Sequence, residues 1–347
     1  MNRNNRVKYI DILRAIAIIL VIAGHIPYAD FSADFHKWVY AFHIPLFFFV
    51  SGISLSFINY SKTNFKELLS KRFHRIYLPY LVWGILLAIP NFSLWTIPKI
   101  LYGTHKSLAS VTNSSLWFLP VLFISLLIVD TIIILLTKKK ATSKLPLFLI
   151  GFLILALITP SQPTIHELLN GHNLPLGIDI VPMTIVFILL GYLYQNCKKI
   201  SNLRPKLYVS IPIILVMFLI TLFFGLKNDV NYVLMAENRY GNYLFFLIAA
   251  LAGIIASLLL SFIIEKYTKC LAKLMQKIGS DTMLIFILHK YPLQWSIDLL
   301  ALFTTTHVSN WIIIPYCILF TVPICMLFSY LINKYAPILA GKQKLFH

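Results

Sequence analysis

Apolar stretches of 18 or more residues recur along the whole chain, and no other feature constrains its fold as strongly. A helix of about 20 apolar residues crosses a hydrocarbon core of about 30 Å. Spans are expected at about 9–28, 37–58, 76–96, 115–136, 145–160, 178–196, 207–226, 242–264, 281–300 and 311–333, the fifth being short. Composition agrees: 59% of the residues are hydrophobic and 12% charged, too few charges to cover a soluble domain, where about 25% is usual. The expected fold is an all-α integral membrane protein, a polytopic bundle of about ten transmembrane helices. There is no internal repeat, low-complexity tract or soluble domain, so residues 1–347 read as a single membrane domain. The first span contains Arg14 and no small-residue cleavage site, which argues against a removable signal peptide.

The net charge of +18 suggests nucleic-acid binding only until the charges are placed. They sit in short runs between apolar segments, a pattern of membrane topology and not of a DNA-binding face. With the N terminus inside, 23 of the 30 Lys and Arg fall on the cytoplasmic side, in runs such as Lys138-Lys139-Lys140. Lys37, Lys99, Lys106, Lys227 and Arg239 fall on the other side, and Arg14 and Lys290 lie within spans. This alternation supports ten spans with both termini cytoplasmic, because a missed helix would scramble it.

Ionisable residues inside spans are costly and are functional candidates by default. The first span carries Asp11, Arg14 and His25. Arg14 and His25 are 11 residues apart, close to three helical turns, so they share a face about 16 Å apart along the axis. Asp11 precedes Arg14 by one turn and can pair with it. The bland alternative is a structural polar seam, with Arg14 snorkelling to the inner interface. The second span adds His43, in the run Phe42-His43-Ile44-Pro45-Leu46-Phe47-Phe48. His43 and His25 both belong to the outer half and can face each other. Pro45 frees backbone groups, tolerable where a helix lines a cavity, and Ser51-Gly52 offers a small surface for close helix contact.

Lys71-Arg72-Phe73-His74-Arg75 reads as a cytoplasmic loop at the entrance of the third span. Such clusters are ordinarily positive-inside anchors, yet Arg72 and Arg75 are one turn apart and can clamp a phosphorylated ligand. His289 and Lys290 lie mid-span in the ninth segment, with Asp281 and Asp298 nearer its ends. Trp117 opens the fourth span, where an interfacial aromatic anchor is the simplest reading. Cys197, Cys270, Cys317 and Cys325 suggest neither a disulfide framework nor a zinc site, and His166 with His172 is too sparse for a metal.

These residues resemble the acyltransferase 3 family of bacterial membrane acyltransferases. The resemblance rests on Tyr9-Ile10-Asp11-Ile12-Leu13-Arg14, on His25 after ten intervening residues, and on Phe42-His43-Ile44-Pro45-Leu46-Phe47-Phe48 with Ser51-Gly52. Arg72-Phe73-His74-Arg75 looks like the family's Arg-x-x-Arg element, and Ser115-Leu116-Trp117-Phe118-Leu119 is similar to its fucose 4-O-acetylase-like branch. The specific motifs cover about the first 120 residues; the ten-span plan and the late His289 fit as well. The resemblance implies an enzyme of the bacterial cell membrane that moves an acyl group, usually acetyl, from cytoplasmic acyl-CoA to a glycan hydroxyl. The acceptor would be a surface or secreted polysaccharide or its lipid-linked precursor. Acetyl-CoA is then a donor substrate and no bound cofactor is implied. Some members carry an extracytoplasmic hydrolase-like domain, which these residues do not show. Either the membrane domain suffices or a separate glycan-assembly or transfer protein completes the reaction.

On this reading His25 is the general base toward the acceptor hydroxyl, a task suited to an imidazole of ordinary pKa about 6.5. Arg14, paired with Asp11, holds the thioester end or steadies the first span. Arg72 and Arg75 bind the CoA phosphates, and His43, Trp117 and His289 line the cavity. A covalent acyl-histidine relay is the variant. No nucleophile elbow is evident. The competing class is an exporter or flippase of glycans or lipid-linked sugars, against which no paired halves with interrupted helices are seen. A third class is a scaffold or sensor in a glycan-assembly complex.

Overall fold

The computed structural model describes residues 7–26, 32–159, 174–303 and 310–342. His166 and His172 lie outside the described residues. The chain forms helices α1 (Lys8–Gly24), α2 (Ser32–Tyr40), α3 (His43–Leu55), α4 (Phe65–Arg72), α5 (Leu78–Ala88), α6 (Thr96–Tyr102), α7 (His105–Ala109) and α8 (Phe118–Lys138). They are followed by α9 (Leu145–Ile158), α10 (Val181–Asn196), α11 (Leu207–Leu226), α12 (Tyr243–Tyr267), α13 (Lys269–Ser280), α14 (Thr282–Leu288), α15 (Lys290–Phe303) and α16 (Asn310–Tyr335). Among the described residues β-type pairing is confined to an isolated bridge between Leu234 and Arg239.

Among the described residues, seven helical stretches are long and apolar enough to cross a membrane: Asp34–Leu55, Phe65–Asn91, Ser114–Lys138, Pro175–Asn196, Leu207–Leu226, Tyr243–Tyr267 and Ile312–Tyr335. The protein is therefore an all-helical polytopic membrane protein. The other expected spans correspond to α1, with 17 residues, to α9, with 14, and to a segment divided at His289 into α14 and α15.

Prolines explain where the long apolar segments break. A proline lacks the N–H that would bond the carbonyl four residues earlier. Pro45 leaves the Ala41 carbonyl without that bond, and the helix divides at Ala41–Phe42. Pro292 does the same to Leu288, and the ninth segment divides at His289. Pro79 does it to Arg75, and here the helix continues by slipping into a π turn over Phe73–Tyr77, with Leu78 N–H bonding the Phe73 carbonyl. Lys71–Arg75 is thus helix and not the expected loop. The third span begins near Phe65, where Asn64 caps α4 by accepting from Glu67 N–H at 2.8 Å, about ten residues before the first apolar residues suggest.

The chain divides into two compact units. One comprises 1–50, 202–233 and 240–331. In it α1 packs on α13 so closely that a Cβ on Gly279 would lie 1.8 Å from the Asp11 carbonyl oxygen. Gly253 of α12 admits the Phe42 ring, which a Cβ would meet at 2.3 Å. Thr221 of α11 donates to the Ala249 carbonyl at 3.2 Å, the kind of polar stitch that joins helices where apolar burial offers little drive. The other unit comprises 51–201, 234–239 and 332–347. Gly52 lies against α10, where a Cβ would come 1.9 Å from the Ile188 oxygen, so the expected small-residue contact is present. Ser125 of α8 and Thr184 of α10 share a hydrogen bond of 2.6 Å. Residues 337–342 lie on α5 and the π turn: Trp83 Nε1 donates to the Leu339 carbonyl at 2.9 Å, and Gly341, at φ 63°, meets the Arg75 carbonyl.

Candidate active site

In the first unit, α1 carries the expected polar track. Asp11 is buried and accepts from Arg14 Nη1 at 3.1 Å, while about a third of the Arg14 side chain stays exposed. Three turns on, His25 is the C-terminal cap of α1, its N–H directed at the Val21 and Ile22 carbonyls. Its ring is only partly buried, on a helix whose other faces are packed.

The ring beside it is His289, with centroids 5.1 Å apart and planes inclined by 33°. His289 is fully buried at the break between α14 and α15. Its Nδ1 lies 2.7 Å from the Phe286 carbonyl oxygen. A carbonyl can only accept, so Nδ1 carries the proton and the neutral ring keeps its lone pair on Nε2. That Nε2 is buried and has no hydrogen-bond partner among the described residues. Leaving a buried acceptor unpaired costs about 1–3 kcal/mol, so such groups are rare and warrant an explanation.

The end of α1 is ringed by further aromatic and imidazole groups of the same unit. Tyr40 Oη and His36 Nε2 both donate to the Gly24 carbonyl, each at 3.1 Å. His43 is buried, donates from Nδ1 to the Val39 carbonyl at 2.8 Å, and packs edge-on to Tyr40 at 4.8 Å. Tyr232 closes on Tyr40 at 5.0 Å. His43 therefore reaches the end of α1 through Tyr40, and the imidazole seen against His25 is His289.

The second unit holds a different polar cluster. Asp130, in the apolar helix α8, is fully buried. It accepts from Tyr60 Oη at 2.6 Å and from Arg72 Nε and Nη2 at 3.0 and 3.3 Å. Burial foremost, then the Asp130 carboxylate, pushes the Tyr60 phenol up, so Tyr60 stays a donor. Arg72, expected to join Arg75 on a phosphate, turns its Nε–Nη2 edge to that carboxylate. Arg75 is exposed in the π turn. Asp130 was open to discovery as a lone acid in an apolar run, but Tyr60, 70 residues away, was not. Trp117, on a short turn capped by Asn113, is buried. By contrast Trp95, in the loop before α6, is 68% exposed as an interfacial anchor would be.

Asp298 is exposed and accepts from Gln294 at 2.8 Å. All four cysteines are free. Among the described residues no three His, Cys, Asp or Glu side chains converge as metal ligands.

An all-helical membrane protein with two adjacent imidazoles at the end of its first helix is the class that fold and site define. Residues 7–330 match the model of the acyltransferase 3 family, described as an acyltransferase domain, and the chain belongs to that family. It is also similar to nodulation protein NolL of Mesorhizobium japonicum, with 29% identity over 134 residues, 36% of each chain. The match thus spans about a third of that relative's length.

Proposed function

We propose that this protein is an O-acyltransferase: it moves an acetyl group from acetyl-CoA to a sugar hydroxyl of a polysaccharide or its lipid-linked precursor at the bacterial cell membrane.

 The acyl group is acetyl and the bond formed is an ester. What supports this reading most is the partly exposed His25 imidazole, set at the end of a buried helix in a chain of the acyltransferase 3 family. His25 removes the proton of the acceptor hydroxyl as the oxygen attacks the thioester carbonyl. The carbon–sulfur bond then breaks, and His25 returns the proton to the CoA thiolate, so the products are the sugar ester and free CoA. Arg14, steadied by Asp11, holds the thioester end. Arg75 contacts the CoA phosphates, while Arg72 fastens α4 to α8 through Asp130. His43 shapes the space for the acceptor, and a glycan-assembly protein is a natural partner.

The test is chemical. Surface glycan from cells with and without the protein is compared for base-labile acetyl. Loss of the ester with glycan still at the surface is the expected result. Loss of the glycan itself would point to an exporter instead.

A further inference from the structure

We propose that His289 is the positioning residue for His25: its bare Nε2 accepts the His25 N–H, which fixes which nitrogen of His25 faces the acceptor hydroxyl. The inference rests on the reading of His25 as the base. Three observations carry it. The Phe286 carbonyl holds the proton on His289 Nδ1, so Nε2 can only accept. Nε2 is buried without a partner among the described residues, so a donor belongs there. The adjacent ring is His25, at 5.1 Å between centroids. A ring nitrogen lies about 1.2 Å from its ring centre, so two rings at that separation can bring one nitrogen of each within hydrogen-bond distance, about 2.7 Å at the closest.

The helix break makes the arrangement possible. Pro292 ends the regular ladder at Leu288, and His289 sits at the break with its Nδ1 turned back to the Phe286 carbonyl. The His289 ring is thereby held by its own helix, with its acceptor nitrogen unspent. When His25 takes the substrate proton, both of its nitrogens carry hydrogen, and Nε2 of His289 holds one of them in place while the other is passed to the leaving thiolate.

The experiment uses full-length protein in native membrane vesicles with radiolabelled acetyl-CoA, reading base-labile label in the glycan fraction. His289→Phe removes the acceptor and keeps a ring; His289→Gln keeps an acceptor. At equal abundance in the membrane, His289→Phe is expected to lower kcat about 30-fold with KM for acetyl-CoA within about twofold, and His289→Gln to recover most of the loss. Wild-type kcat in His289→Phe, or a Gln variant no better than Phe, overturns the proposal. His25→Ala is run alongside: if it stays active, the reading of His25 as base fails, whereas an inactive His25→Ala beside a fully active His289→Phe sinks only the present inference. A readout free of turnover completes the set. In protein labelled with 15N-histidine, His25 shows a single neutral tautomer, which becomes a mixture in His289→Phe; an unchanged tautomer contradicts the pairing.

Discussion

The two buried polar clusters are built on opposite plans. Around Asp130 every strong group is matched: the carboxylate takes three bonds, from the Tyr60 hydroxyl and the Arg72 fork. Around His25 and His289 one acceptor is left open in a fully buried position. A closed network of this kind rigidifies what it joins, here the α4 end and α8, and takes up two of the five N–H donors of Arg72. An open acceptor costs stability and persists where a transient donor uses it. On the proposed reading the first cluster serves structure and the second chemistry, although both are polar groups in apolar helices.

Substitutions can break that division. Asp130→Ala strands the Arg72 charge, whose side chain is only 17% exposed, and should cost about 3–5 kcal/mol. Thermal unfolding in detergent reads this as a large fall in Tm, and pairing Asp130→Leu with Arg72→Met should restore most of it. A stable Asp130→Ala protein that has lost only acetyl-CoA binding would move this cluster into the active site. Gly279→Ala tests the seat of α1, because the added methyl meets the Asp11 carbonyl; overpacking of this kind costs about 1–3 kcal/mol and should lower Tm accordingly. Arg75→Ala sharpens the distinction between the two arginines. It should raise KM for acetyl-CoA about tenfold with kcat unchanged, the signature of lost uniform binding, and an unchanged KM would remove Arg75 from the donor site. Tyr60→Phe deletes one hydrogen bond to Asp130 and should cost about 1 kcal/mol, with no change in transfer kinetics.

Much of the helical plan was legible because apolar length reports directly on membrane crossing. The seventh expected span, 207–226, coincides with α11. The third was misjudged at its start because α4 carries Lys66, Glu67, Lys71 and Arg72 and so offers no apolar run. The breaks were legible in principle: His43-Ile44-Pro45 and His289-Lys290-Tyr291-Pro292 place each histidine just ahead of the proline that interrupts its helix. The pairing of Asp11 with Arg14 followed from spacing on one helix. Pairings between distant segments, His25 with His289 and Asp130 with Tyr60 and Arg72, depend on tertiary packing that helical periodicity does not encode.

The most direct measurement of the division between a structural and a chemical cluster is acetyl transfer by His25→Ala in membranes where its abundance equals wild type. Loss of a general base lowers the rate about 100-fold or more, with unfolding temperature close to wild type, and that is the expected result. Transfer at the wild-type rate would contradict it.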